Sequence, residues 1–282
     1  MPLPFCKSLC SILSALAMGM PAWAGSGELR ISGSGSGLAV LKLLGQRFEK
    51  SDPGTRVRIL PSIGSSGGIR AVADGKLDLA CSSRSLNAEE AARGIQEHTF
   101  ASSPMVFAVQ KSNPAAELEF SLLLGMYEGR VLAWPSGLPV RVVLRPKSDT
   151  AHGHLSAISK AMAAAVDKAH TRPGAIVAMT DQENADQLEK SPGSLGSLTL
   201  GQLLSEMRAL KPLPWNGIQP TLENQANGTY PFSIPLILFF RKDPGNPEAA
   251  RFLQFLETLA AKEILRKNGF LPASARSSRG QP

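Results

Sequence analysis

Apolar residues recur at helical spacing through Leu38, Leu41, Leu44 and Phe48, and the run stops at Asp52-Pro53-Gly54. Ahead of it, ELRIS (28–32) reads as a short strand that runs into the glycine and serine loop SGSGSG (32–37). The order then repeats. TRVRIL (55–60) is a second strand, SIGSSGG (62–68) a second loop, IRAVADGKL (69–77) a short helix closed by Gly75, and DLACSS (78–83) a third strand. Such alternation predicts an α/β fold. NAEEAARG (87–94) is a helix with an Asn cap, and the apolar strand PMVFAVQ (104–110) leads to a turn at Ser112-Asn113-Pro114.

Beyond that turn the pattern predicts a second lobe. It holds FSLLLGMYEG (120–129), the strand PVRVVLR (139–145), a helix from about Ala151 to Lys168, a strand at AIVAMT (175–180) and GSLGSLTL (193–200). The last third reads as a buried strand at TYPFSIPLILFF, a proline turn, one long amphipathic helix and a terminal turn at NGFLP. A strand leaving the first lobe near Met105 and another returning near Pro235 make a two-strand hinge between discontinuous halves. The expected division is 27–104 with 235–274 as lobe I, 105–234 as lobe II, and a disordered tail at 275–282.

The first 24 residues read as a cleavable secretory signal: Lys7, an uncharged apolar stretch from Ser11 to Met20, and a small-x-small ending at Ala22-Trp23-Ala24. No later segment is long and apolar enough to span a bilayer. Cys6 and Cys10 leave with the signal, so Cys81 stands alone and an internal disulfide is excluded. The formal charge is +7 at pH 7, one less without Lys7, which favours an anionic partner or simply solubility. With aromatics at 6% and no basic stripe carrying stacking residues, no nucleic-acid partner is expected.

Both glycine loops sit where a strand ends and a helix begins. There the backbone amides and the positive end of the helix dipole face one spot, an arrangement suited to an oxyanion. RPKSDTAHG (145–153) offers a third helix start, with Arg145 before it and the hydroxyls of Ser148 and Thr150 beside it. The alternative is strand-helix turns with no ligand. GSGSGLAV has Leu38 where a dinucleotide fingerprint needs its third glycine, and neither loop continues into a P-loop, so no nucleotide cofactor is expected. GSSGG matches a nucleophile elbow at Gly64, Ser66 and Gly68, which keeps a serine hydrolase using Ser66 as a rival reading; the last histidine, His170, comes far too early in the chain for that fold. His152 and His154 lack a third ligand nearby and read as polar surface rather than a metal site.

Several stretches taken together resemble the periplasmic phosphate-binding proteins that feed the phosphate ABC transporter, within the type II periplasmic binding protein fold. They are GSGSG, SIGSSGGIRAVADGKLDLACSSRSL, LLLGMYEGRVLAWPSGLPVRVVLR, GIQPTLENQANGTYPFSIPLILFF and FLQFLETLAAKEILRKNGFLP, with GTYPFSIPL and NGFLP the most specific. The resemblance implies two lobes, each a mixed sheet flanked by helices, closing over an oxyanion. It implies contacts from Ser36, Gly37, the amide of Leu38, Ser65, Ser83, Arg145, Ser148, Asp149 and Thr150.

The chain departs from the family pattern at Ser83, where studied members carry an aspartate that accepts the proton of hydrogen phosphate, although branches with a Ser-Arg pair like Ser83-Arg84 are common. It departs again at Asp149, which replaces the glycine of Ser-Gly-Thr in a loop one residue shorter than in the long members. Asp149 then has three candidate roles: orienting Arg145, capping the helix, or accepting the proton. Ser197 follows Gly196 where many members have tyrosine, implying a more open cleft. The resulting expectation is a periplasmic, monomeric, non-catalytic receptor that needs no metal or other cofactor and delivers inorganic phosphate to an inner-membrane ABC permease. The alternative is a receptor for another oxyanion, sulfate-like or a metal oxyanion, with a signalling or orphan role.

Overall fold

The structure is a computed structural model that describes residues 27–242 and 245–273; the secretory signal read at 1–24 and the tail read at 275–282 lie outside the described residues. The first elements are β1 (Gly27–Gly33), α1 (Gly35–Ser51), β2 (Thr55–Ile59), α2 (Gly64–Ala73), β3 (Leu79–Ser82) and α3 (Ala88–Ala92). A long strand β4 (Ile95–Gln110) leads to α4 (Phe120–Glu128), β5 (Arg141–Leu144), α5 (Thr150–Ser156), α6 (Lys160–His170), β6 (Ile176–Val177), α7 (Asp181–Lys190) and β7 (Ser194–Thr199). Then come α8 (Leu200–Ser205), β8 (Leu210–Pro212), α9 (Leu222–Ala226), β9 (Ser233–Arg241), α10 (Pro247–Leu256), α11 (Leu259–Lys267) and β10 (Leu271–Pro272).

The strands run in the order β2-β1-β3-β9-β4-β7-β5-β6, with β8 and β10 also pairing to β4. β1, β2 and β3 are parallel, β9 is antiparallel to both β3 and β4, and β5 is parallel to β7 and β6, so the fold is mixed α/β as the alternation predicts. β4 changes partner part-way along. Its residues up to Pro104 pair with β9, ending at Pro104 opposite Ser233, and from Met105 opposite Thr199 it pairs with β7. Proline lacks the N–H that a continuous ladder would need, so it fits this handover.

Two sets of buried apolar residues lie on either side of that point. One gathers Leu29, Ile31, Leu41, Leu44, Phe48, Phe252 and Phe270, with Ile69, Val72, Ile237 and Phe239 on the other face of the strands. The second gathers Phe107, Tyr127, Met162, Leu195 and Trp215, with Val106, Val143 and Leu188 opposite. We propose that these two packed bodies are lobes I and II, divided at Pro104/Met105 and Ile234/Pro235, with β4 and β9 as the two strands that connect them.

Several boundaries differ from the sequence reading. The glycines of SGSGSG and SIGSSGG are not open loops: α1 begins at Gly35 and α2 at Gly64. Gly37 and Gly68 serve close packing of helix on strand. A Cβ at Gly37 would lie 2.6 Å from the Cys81 sulfur, and one at Gly68 would lie 3.0 Å from both Ala80 Cβ and Gly33 Cα. The helix expected over 151–168 is two, α5 and α6, because Ser159 accepts from the Met162 amide at 3.0 Å and restarts the chain as an N-cap. The long terminal helix is likewise α10 and α11, split where Thr258 caps the Ala261 amide. The strand read at 104–110 extends back to Ile95, and α7, a mostly polar segment with no apolar stripe, was not anticipated.

The core of lobe I is organised around Phe48, which stands edge-on to Phe252 at 5.3 Å and tilted to Phe255 at 5.4 Å. Replacing fully buried Phe252 by alanine is expected to remove about 3–5 kcal/mol of stability, read as a lower urea midpoint with an unchanged slope.

Candidate functional site

β1 ends at Gly33, whose φ of +119° and 2.1 Å separation between a notional Cβ and the Cys81 carbonyl oxygen admit only glycine. The turn brings Ser34 to the end of β3, where its amide donates to the Cys81 carbonyl at 2.8 Å. α1 therefore starts beside the end of β3, and α2 starts next to it, with Ser65 accepting from the Ser83 amide at 3.3 Å. Across the gap lie the starts of three lobe II helices. Asp149 caps α5 by accepting from Ala151 N at 2.9 Å, Thr180 caps α7 by accepting from Glu183 N at 3.0 Å, and Thr199 caps α8 by accepting from Gln202 N at 3.0 Å.

These five helix starts enclose a cavity of about 30 Å³. Its polar lining is Ser34, Ser36, Ser65, Ser83, Asp149, Thr150, His154, Asp181, Ser197, Thr199 and Gln202, and its apolar lining includes Met105 and Ile234 on the connecting strands. An adjoining pocket of about 440 Å³ shares Gly64, Ser65, Asp149 and Thr150 and adds Arg70, Arg145 and Ser148. Of the residues expected from sequence, Ser36, Ser65, Ser83, Asp149 and Thr150 thus line the cavity, and Arg145 and Ser148 line the adjoining pocket. Gly37 packs on Cys81 and Leu236, and Leu38 lines a separate groove with Lys42 and Arg56. Ser66, the serine of the elbow pattern, lies within the first turn of α2 and accepts from Arg84 Nη2 at 3.0 Å, while Arg84 is clamped by Glu90 through two contacts of 2.7 Å. His152 and His154 diverge: His154 Nε2 lies 3.1 Å from the Ser83 carbonyl oxygen, and His152 packs against His170.

The cavity's charged lining is Asp149 and Asp181, and the adjoining pocket adds the buried Arg145 and the exposed Arg70. Arg145, 4% exposed, donates through Nη1 to the Ala178 carbonyl at 3.0 Å and through Nη2 to Asp149 at 2.8 Å. Asp149 therefore both orients Arg145 and caps α5. Asp181, unread in the sequence, reaches into the start of α1: its Oδ2 accepts from the Ser36 amide at 3.1 Å and from the Ser34 hydroxyl at 3.5 Å, while its Oδ1 lies 3.7 Å from Arg145 Nη2. Burial pushes the Asp181 carboxyl above the usual carboxylate range and the neighbouring Asp149 adds to this, while Arg145 and the α1 amides oppose it. Burial also pushes His154 below the ordinary imidazole range against the pull of Ser83 and Asp149, and it holds the Cys81 thiol protonated.

Asp181, Thr199 and Gln202 did carry a local signal. Thr180-x-x-Glu183 and Thr199-x-x-Gln202 both match the capping pattern that opens a helix, and Glu183 accepts from the Met179 amide, the residue before the cap, at 2.7 Å.

The family described as PBP superfamily domain matches residues 21–258. The phosphate-binding protein PstS of Borreliella burgdorferi is 24% identical over 247 residues, covering 86% of this chain and 88% of that protein. Among solved structures, a putative phosphate ABC transporter substrate-binding protein with bound phosphate from Clostridium perfringens is similar at a TM-score of 0.75 and 19% identity, over 88% of this chain and all of the other. The periplasmic molybdate-binding protein of Azotobacter vinelandii is similar at a TM-score of 0.61 and 16% identity, over 87% of this chain and all of the other. Their likeness shows the fold, that of type II periplasmic binding proteins.

The site's electrostatics are testable without a ligand. A carboxyl whose folded pKa is raised imposes no cost while protonated in both states, and a growing cost as pH rises from its unfolded value through its folded one. Asp181→Asn is expected to melt above the parent at pH 7 to 8, the gap closing toward roughly pH 4. A gap that does not change with pH would contradict the assignment.

Proposed function

The chain belongs to the PBP superfamily domain family, and from that membership we propose that it is an exported solute-binding protein that captures inorganic phosphate between its lobes for an inner-membrane ABC importer. The observation that carries this reading is the convergence of helix starts from both bodies on one buried cavity beside Arg145. Amides at a helix start have no partner within their own helix and carry the positive end of its dipole, so they favour an anion, as Asp181 on the Ser36 amide illustrates. Serine and threonine hydroxyls rotate to suit the anion's lone pairs. The relatives named for phosphate binding support phosphate as the anion, and binding proteins are what those names describe, not enzymes.

Donors on opposite walls supply the mechanism of capture. An oxyanion resting on α1 and α2 of lobe I completes its hydrogen bonds only when α5, α7 and α8 of lobe II come down on it, so binding favours the closed arrangement. The two connecting strands, β4 and β9, are where that motion would be absorbed. A periplasmic, monomeric receptor is the reading that the secretory-signal pattern at 1–24 and the family support; among the described residues no helix is long and apolar enough to cross a membrane. A second reading, a receptor for a different oxyanion such as molybdate or sulfate, is favoured by the likeness to the Azotobacter protein and by Ser83, which brings no carboxylate to the lobe I wall.

Calorimetric titration of refolded, ligand-free protein with phosphate, sulfate and molybdate decides between them. Saturable phosphate binding with the others silent supports the first reading, and molybdate or sulfate alone supports the second. Arg145→Ala is expected to weaken phosphate binding by about 2–5 kcal/mol, as for truncation of one member of a buried charge pair. Unchanged affinity in that variant would remove Arg145 from the site.

A further inference from the structure

Beside the buried cavity lies a larger space that a bare oxyanion leaves unfilled. The cavity is about 30 Å³, room for about two water-sized spheres. The pocket joined to it through Gly64, Ser65, Asp149 and Thr150 is about 440 Å³, within the range of roughly 300–1,000 Å³ typical of small-molecule sites. The wall they share is open on the lobe I side, where a Cβ at Gly64 would meet no atom within 4 Å.

The cations lie on the larger pocket rather than on the cavity. Among the described residues, the cavity wall carries the carboxylates of Asp149 and Asp181 and no lysine or arginine, whereas Arg145 and Arg70 both line the pocket. The Arg145 side chain is 3% exposed, and its Nε is buried without a hydrogen-bond partner. Arg70, on the second turn of α2, is exposed, and among the described residues no carboxylate lies within ion-pair distance of it. Glu90, whose carboxyl its charge helps to lower, is already clamped by Arg84. The pocket also carries two large apolar side chains that face solvent: Ile63 at the start of α2 in lobe I, 50% exposed, and Met179 ahead of α7 in lobe II, 64% exposed. An inorganic ion offers those two side chains nothing to bury against, and an organic group does.

We propose that the site takes a phosphate monoester as well as inorganic phosphate. The phosphoryl group sits at the shared wall against Ser65, Thr150 and Arg145, and a short organic substituent ending in a carboxylate runs past Ile63 and Met179 to Arg70. This rests on the reading of the site as a phosphate site. A monoester keeps three non-bridging oxygens for the donors at the wall, and only its bridging oxygen needs to face the pocket. The guanidinium of Arg70 gives the carboxylate a charge-assisted contact that accepts two oxygens at once, and the apolar pair covers the carbon chain between the two ends. Inorganic phosphate occupies the wall alone and leaves Arg70, Ile63 and Met179 in water.

The test is calorimetric titration of the refolded, ligand-free mature protein with inorganic phosphate, ethyl phosphate and phosphoglycolate, the last being an ester that ends in a carboxylate. Both esters are expected to bind saturably and to be displaced by phosphate, with phosphoglycolate about tenfold tighter than ethyl phosphate. Because Arg70 is exposed, that preference is expected to shrink as salt is raised. In Arg70→Ala the ratio of phosphoglycolate to ethyl phosphate affinity is expected to fall about tenfold, and in Arg70→Lys by less, since a lysine keeps the charge but not the paired donors. Circular dichroism melts confirm that both variants are folded. If the parent binds phosphate and neither ester, the proposal is overturned while phosphate capture stands. It is overturned equally if phosphoglycolate binds no tighter than ethyl phosphate, if Arg70→Ala keeps the parent's ratio, or if saturating phosphate fails to displace the esters. Should the parent bind neither phosphate nor ester, the phosphate reading itself fails, and this proposal with it.

Discussion

Backbone N–H groups at a helix start must find partners outside the helix, and in this protein five helices start around one cavity. Much of the architecture follows from satisfying those groups. β1 and β3 must end side by side, which is why Gly33 takes a conformation closed to other residues and lets Ser34 bond to Cys81. Lobe II must present α5, α7 and α8 to the same point, which their caps Asp149, Thr180 and Thr199 accomplish one helix at a time. The caps satisfy part of the demand, and Asp181 meets more of it by accepting from the Ser36 amide.

That same demand explains the distribution of ionised groups. A guanidinium as buried as Arg145 requires partners, and its planar donors reach Ala178 and Asp149 at once, leaving a flank toward Asp181 that a lysine would not cover in the same way. Asp149 joins α5 to β5 by capping the one and pairing with the end of the other. Asp181 joins lobe II to lobe I, satisfying α1 amides that would otherwise be left facing an emptied cleft. Arg145, Asp149 and Asp181 thus all find partners within the protein.

Much of this was legible along the chain. The strands of lobe I, the apolar stripe of α1 and the Asn87 cap of α3 have strong local causes, and the cap is a full capping box in the structure, with Glu90 returning a bond to the Asn87 amide. The glycine runs were harder to place. Glycine allows a loop and a tight helix-strand contact equally, and only the 2.6 Å approach to Cys81 shows which need Gly37 meets. The breaks between α5 and α6 and between α10 and α11 were hidden because Ser159 and Thr258 sit within stretches whose helix propensity runs on past them. α7 escaped because a helix that buries only Asn184, Ala185 and Leu188 leaves a weak periodic trace.

Neighbours along the chain were enough for the α/β alternation, the strand-to-helix junctions at 32–37 and 62–68 (though not the helix starts at Gly35 and Gly64 inside them), the arginine ahead of Ser148-Asp149-Thr150, and the family resemblance. Tertiary packing pairs Arg145 with Asp149 and sets Asp181 against the start of a helix 145 residues before it. Those outcomes depend on how two lobes, joined by two strands, bring together groups far apart in sequence. Bonds between such distant segments carry no local signature, since they do not exist until both walls are built.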